Sequence, residues 1–404
     1  MSSHDMVQAR ETAGALTGRY LVLLPEDDHE AGMNLLQETA QVEVLSSVGI
    51  EAASDPEASH GVFYESLGVA VLPAPPPERI EALGIAAADA SQPILAVEPE
   101  RVLVAISAPA VVGPPWQDDA SETWGMHATG LHPTGFDGSG VRVAILDTGI
   151  DLGHADFAGR PIVTESFVPG EAVDDGNGHG THCAGIACGT RTPATEPRYG
   201  AASAAALHVG KVLSNRGRGG DGGIIAGISW ALEHRCDVIS MSLGAPQQFG
   251  APHSPVYEQI AQRALARGTV IFAAAGNDNQ RAAGIPAPVG RPANCPSIFA
   301  VAAIDGRAEV ADFSNESDPN GGTAAQVDIA GPGVDVHSSW PRPTDYRSIS
   351  GTSMATPFVA GIAALHAQAT GLRGSALARA VIGSAASLTP LSPADVGSGL
   401  VQAP

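Results

Sequence analysis

Five short runs rich in apolar residues, at 142–146, 207–212, 238–241, 270–275 and 298–303, constrain this chain more than any other feature. Between them lie segments with helical spacing: 223–234 carries Ile224, Ile225, Ile228 and Leu232 on one face, and 256–267 is stopped by Gly268. Short strands that are apolar on both faces need cover on both faces, and strands that alternate with helices join by crossovers. The expected fold of this part is therefore α/β, with a mostly parallel central sheet flanked by helices. A chain of 404 residues has room for that core and a second unit.

The second unit precedes it. Residues 1–110 carry 4 basic against 17 acidic groups, whereas residues 111–404 carry 17 against 26, so the two parts differ in electrostatic character. Between them APAVVGPPWQ, at 108–117, suits an extended connector, because proline disfavours helix within and before itself. The first part reads as a strand at 19–24, a helix at 31–40, a strand at 42–45 and an apolar segment at 62–71. A helix begun by proline at 77–83 and extended segments at 94–97 and 101–106 complete a small α+β unit. The division is a tail at 1–18, an α+β domain at 19–107, a linker at 108–122 and the α/β domain at 123–404.

Composition removes several classes of function. A net charge of −22 opposes docking onto phosphates, so no nucleic acid partner is expected. No apolar run reaches the ~18 residues of a membrane span. Four cysteines are too few for a disulfide scaffold in a chain this long. The first 21 residues include Asp5 and Glu11 and lack the apolar run of a secretory signal.

Four sites carry chemistry. The first strand of the α/β part runs into Asp147-Thr148-Gly149, a carboxylate at the end where parallel sheets build their sites. His179 follows among glycines, in Asn177-Gly178-His179-Gly180, at the start of an Ala/Gly-rich segment. The run at 270–275 ends in Gly276-Asn277, whose amide is a candidate oxyanion donor. Ser353 opens a helix, where unpaired N–H groups face outward. Each feature alone has an ordinary structural reading: a turn-capping Asp, a structural His, a turn and an N-cap serine.

The order Asp, His, Asn, Ser changes that balance. The chain resembles the subtilisin-like serine proteases over 124–369, through VAILDTGID at 143–151, HGTHCAG at 179–185, SMSLG at 240–244, AAAGN at 273–277 and GTSMATPFVAG at 351–361. The resemblance implies a serine endopeptidase acting on polypeptides, with no cofactor required for the chemistry. Ser353 would be the nucleophile, His179 the general base, Asp147 the group that orients and stabilises the imidazolium, and Asn277 with the Ser353 N–H the oxyanion donors. His182 would be structural, and Cys183 resembles a buried thiol that some relatives keep beside the histidine.

It further implies that substrate adds as a strand between Gly217, Arg218, Gly219 and Ser242, Leu243, Gly244. A primary specificity pocket would lie between those walls and the 274–277 segment, including Ala274 and Gly276. Asp221 and Asp278 are expected either to make acidic subsites that favour basic side chains or to be exposed, solvated carboxylates. Asp156 matches a calcium-ligating aspartate of many relatives, yet the loop at 189–194 offers few oxygens for a hard cation. The first unit resembles, more weakly, the ferredoxin-like propeptide of the family, a folding assistant and intramolecular inhibitor. The segment after Arg101 would then cross the cleft and be cut by Ser353 within ~105 to 122, making the chain a self-processing zymogen.

Other readings compete. His179, His182, Cys183 and Cys188 suggest a transition-metal site. An α/β-hydrolase esterase would need Gly-x-Ser-x-Gly, but residues 351–355 end in Ala. The glycine-rich run at 217–223 lacks the Gly-Lys-Ser/Thr of a phosphate loop. A non-catalytic peptide-binding protein on a protease fold remains as the third class. The compartment stays open: a propeptide suggests export, with a signal removed, whereas the start of the chain and its few cysteines are compatible with the cytoplasm.

Overall fold

The structure, a computed structural model, describes residues 13–26, 28–47, 60–105, 116–132, 134–193 and 196–404. The expected linker falls largely outside these residues. In the first unit, β1 (Leu16–Leu23) leads to α1 (His29–Ala40), β2 (Val44–Ser46), β3 (Gly61–Tyr64), β4 (Val69–Leu72), α2 (Pro77–Ala88) and β5 (Ala96–Ala105). These strands lie in the order β5-β1-β4-β3-β2, antiparallel except for the β2–β3 pair.

Two details differ from the sequence reading. The segment 62–71 is a hairpin, because Tyr64 accepts the N–H of Leu67 at 3.0 Å and Gly68 takes φ +61°, folding the chain back. The segments expected at 94–97 and 101–106 meet in one strand, β5, in which Pro99 pairs with Tyr20 and, past a shift in register, Arg101 pairs with Leu16 of β1. Pairing across the sheet overrides the local break that proline suggests.

Alternation along these strands gives the sheet two different buried faces. Val22, Ala70, Leu72 and Phe63 point with Leu36 and Ala40 of α1 and Leu83 of α2 into a small core of the unit's own. Leu21, Leu23, Val62, Tyr64, Val69 and Val71 point the other way and join the main core.

The second unit holds β6 (Arg142–Asp147), β7 (Val163–Ser166), α3 (His179–Cys188), β8 (Ala206–Lys211), β9 (Arg218–Gly220), α4 (Asp221–Glu233), β10 (Val238–Met241), β11 (Leu243–Gly244), α5 (Pro255–Ala266), β12 (Val270–Ala274), β13 (Phe299–Ile304), β14 (Ile329–Pro332), α6 (Thr352–Thr370) and α7 (Gly374–Gly383). Its central sheet has seven strands in the order β14-β13-β12-β10-β6-β8-β7, with every neighbouring pair parallel. The five apolar runs supply β6, β8, β10, β12 and β13, as expected. The sequence did not reveal β7 and β14, since VTES is polar and IAGP contains glycine and proline. The chain leaves β6 toward β8 on one side and resumes at β10 on the other, so a crevice opens at the end of β6.

The first sheet docks on the outer side of this unit, against α4 and α5. Ile224, Ile225, Val256, Tyr257 and Ile260 share the main core with its outer face, and Arg263 of α5 donates to the carbonyls of Leu24 and Leu67. Two separate cores predict separable stabilities. Leu36→Ala, emptying the small core, should lower the stability of the first unit by about 2–5 kcal/mol. Hydrogen exchange should then speed up in β2 and β3 and not in β10 or β12; equal acceleration everywhere would mean one cooperative unit.

Candidate active site

The carboxyl ends of β6, β10 and β12 and the amino ends of α3 and α6 converge on one place. Asp147 is the last residue of β6, His179 the first of α3, and Ser353 the second of α6, and all three are buried. The Nδ1–H of His179 donates to Asp147 Oδ1 at 2.8 Å, a carboxylate oxygen that also accepts the Thr148 N–H at 2.7 Å. That bond sets the tautomer and leaves Nε2 with its lone pair. Burial opposes charge on the ring, but the Asp147 carboxylate prevails and holds the His179 pKa above an ordinary histidine.

Ser353 lies beside this pair: Cys183 Sγ is 3.8 Å from His179 Nδ1 and 3.5 Å from the Ser353 carbonyl oxygen. In this conformer Ser353 Oγ donates to the Ser242 carbonyl at 3.0 Å, and His179 Nε2 has no hydrogen-bond partner among the described residues. Turning Oγ about χ1 from that carbonyl toward Nε2 would give the buried nitrogen a donor. Asn277 Oδ1 accepts from the N–H and the hydroxyl of Thr352, at 3.0 and 2.8 Å, so its amide is held by its oxygen beside Ser353.

Residues that the sequence reading passed over hold this arrangement. Asp175 accepts from Thr148 Oγ1, from the N–H groups of Asn177, Gly178 and Thr181, and from Thr181 Oγ1. It thus ties the end of β6 to the start of α3; the Asp-Gly-Asn-Gly turn at 175–178 was the available signal. Gly178 must be glycine, since its φ is +105° and a Cβ would stand 2.3 Å from Trp340. Asn315 accepts the N–H groups of Asp278 and Asn279 and donates to the Pro288 carbonyl, fixing the turn beyond Asn277.

The two predicted walls are strands, and a strand lies between them. β5 pairs antiparallel with β9, Leu103 opposite Gly219 and Val104 opposite Arg218, and with β11, Ala105 opposite Leu243 and Val104 opposite Gly244. The Ala105 N–H donates to the Gly217 carbonyl at 3.0 Å. A pocket beside Ala105 is lined by Gly244, Pro246, Ala274, Gly276 and Asp278. Ser242 links the wall to α6, its hydroxyl donating to the Ser353 carbonyl at 2.8 Å.

Three expectations change. Asp221 is fully buried and already paired with Arg291 at 3.1 Å, so it has no free charge with which to favour a basic substrate side chain. Asp156 is also buried, and its Oδ2 accepts the Tyr199 hydroxyl. A phenol donor where a cation would sit, next to a loop poor in oxygens, does not fit calcium. The four proposed metal ligands do not gather: the His182 ring bonds to the Arg347 carbonyl, and the one cluster among the described residues is Asp147, His179 and Cys183. There Nδ1 is engaged by Asp147, and burial pushes the Cys183 thiol up to about 11, away from the thiolate a metal needs. His182 is structural in kind, its pKa lowered by burial to about 3.

Residues 138–399 match the family model described as the subtilase family. The chain belongs to the subtilase family. It is 40% identical to subtilisin DY of Bacillus licheniformis over 241 residues, covering 59% of this chain and 81% of that one. Subtilisin BL of Lederbergia lenta is 40% identical over 252 residues, covering 61% and 85%. Subtilisin E of Bacillus subtilis (strain 168) is 40% identical over 242 residues, covering 59% and 58%. As a subtilase this chain is a serine endopeptidase, and no helix among its described residues is long and apolar enough to cross a membrane.

Two outcomes follow for this subtilase. A base must be neutral to accept a proton, so a raised His179 pKa places the acid limb of kcat/KM above the ordinary histidine value of 6.5, with activity rising as pH rises through it. Asp147→Asn should move that limb to lower pH in a pH–rate profile. Tyr199→Phe should cost about 1–3 kcal/mol by stranding Asp156, and calcium added during thermal unfolding should not restore it.

Proposed function

We propose that this subtilase is a self-processing zymogen: Asp147, His179 and Ser353 hydrolyse peptide bonds, and residues 19–107 form a ferredoxin-like inhibitor domain within the same chain. The observation that carries the reading is β5 lying antiparallel between β9 and β11, as a peptide substrate would, with its end directed toward Ser353.

The chemistry follows from the geometry. Ser353 Oγ attacks the carbonyl carbon of the bound strand while its proton passes to His179 Nε2, and Asp147 stabilises the imidazolium through Nδ1–H. The tetrahedral oxyanion is met by the Asn277 side-chain amide and the Ser353 N–H at the amino end of α6. Collapse breaks the C–N bond, and His179 returns the proton to the departing amine. Water then attacks the acyl-enzyme with His179 again as base, releasing the carboxylate and restoring Ser353. No metal or organic cofactor enters. Calcium, which subtilases often bind, is not assigned to Asp156.

The register supports a self-cleavage site close beyond Ala105. Ala105 pairs with Leu243, and the next residue along that wall is Ser242, whose carbonyl accepts from Ser353 Oγ. On this reading the self-cleaved bond is the one between Ile106 and Ser107, at the near end of the range read from sequence. Both residues lie outside the described ones. Intact-mass spectrometry on wild type and Ser353→Ala, purified in parallel and then incubated with casein, tests the reading. Wild type should lose a fragment ending at Ile106 and digest casein, and Ser353→Ala should do neither. Equal masses with no digestion in either sample would refute self-processing.

A further inference from the structure

Beyond Gly219 the groove ends in a buried polar cluster that the reaction above does not use. Asp221, the first residue of α4, takes three donors: Arg291 at 3.1 Å, the Tyr257 hydroxyl at 2.9 Å and the backbone N–H of Arg101 at 2.7 Å. The first two come from its own unit and the third from β5. Arg291 is itself clamped, 3.1 Å from both Asp221 and Glu98, with its guanidinium carbon 5.2 Å from the centre of the Tyr257 ring. The charged groups facing Asp221 are Arg291 and Glu100, and Glu98 reaches it only through the shared Arg291.

A carboxylate matched by a guanidinium and a phenol is anchored in one orientation. What remains of its acceptor capacity faces the groove, and there it meets main chain instead of a side chain. Every residue except proline can offer that donor. The contact is thus blind to side-chain identity and sensitive to length and to proline.

We propose that Asp221 is a further recognition point for the substrate backbone, accepting the N–H of the residue two before the one opposite Gly219, with Arg291 and Tyr257 as positioning residues. This rests on reading β5 as the occupant of the substrate groove. It makes the groove longer than the two glycine-bearing walls and gives the enzyme a reason to discriminate against proline at the Arg101 position.

The test is a proline scan on a peptide of residues 98–110, assayed at pH 8 with the full chain after it has matured. At that pH Asp221 is ionised, burial having pushed its pKa up to about 6. Relative to an Arg101→Ala peptide, Arg101→Pro should lower kcat/KM about tenfold, the worth of a charge-assisted hydrogen bond. Val102→Pro should have little effect, because that N–H meets only the Ala15 carbonyl of the first unit. Val104→Pro should impair cleavage, since Val104 pairs with Gly244. In Asp221→Ala enzyme the penalty for Arg101→Pro should vanish and that for Val104→Pro persist. If this variant does not fold, the wild-type scan decides alone. An unaffected Arg101→Pro peptide beside an impaired Val104→Pro peptide overturns the proposal only. If neither substitution matters, the reading of β5 as groove occupant falls, and the proposal with it.

Discussion

A strand must satisfy the hydrogen-bonding groups on both of its edges, and β5 does so by belonging to two units at once. Its first half pairs with β1, and its last residues enter between β9 and β11. Neither β9, of three residues, nor β11, of two, would persist as a strand without the chain between them. The first unit is thus more than an appendage: its outer sheet face shares the main core with α4 and α5, and its last strand completes the groove.

The parallel sheet does the positioning. Because β6, β10 and β12 run the same way, their carboxyl ends present Asp147, Ser242 and Asn277 along one edge. The helices α3 and α6 start from that edge and bring His179 and Ser353 to it. Such a site is full of buried polar atoms, so it depends on a supporting network. Asp175, Thr352 and Asn315 supply it: Asp175 accepts the Gly178 N–H and the Thr148 hydroxyl, Thr352 Oγ1 accepts the Gly276 N–H, and Asn315 accepts the Asn279 N–H.

Much of this was legible beforehand because it is written in local chemistry. Apolar runs mark β6, β8, β10, β12 and β13, and glycines mark places where the backbone must pass closely, as at Gly178. Motifs single out the four site residues, and the strand and helix ends that carry them converge. The errors share one cause. Asp221 as an acidic subsite and Asp156 as a calcium ligand both fail because a lone acidic residue in a sequence carries no sign of its partner; Arg291 and Tyr199 lie 70 and 43 residues away. The polar strand β7 and the interrupted β14 were missed because pairing with neighbours, not composition, makes them strands.

What the sequence by itself determined is the list of chemical groups and the elements that carry them, since periodicity, glycine placement and motif order are local and survive without a fold. Only the tertiary structure decided which groups meet. It brought Asp147 within 2.8 Å of His179, turned Ser353 toward Ser242, paired Asp221 with Arg291, and laid β5 between β9 and β11. The physical reason is that charge pairing, burial and strand register act across space, between residues whose separation along the chain says nothing of their distance.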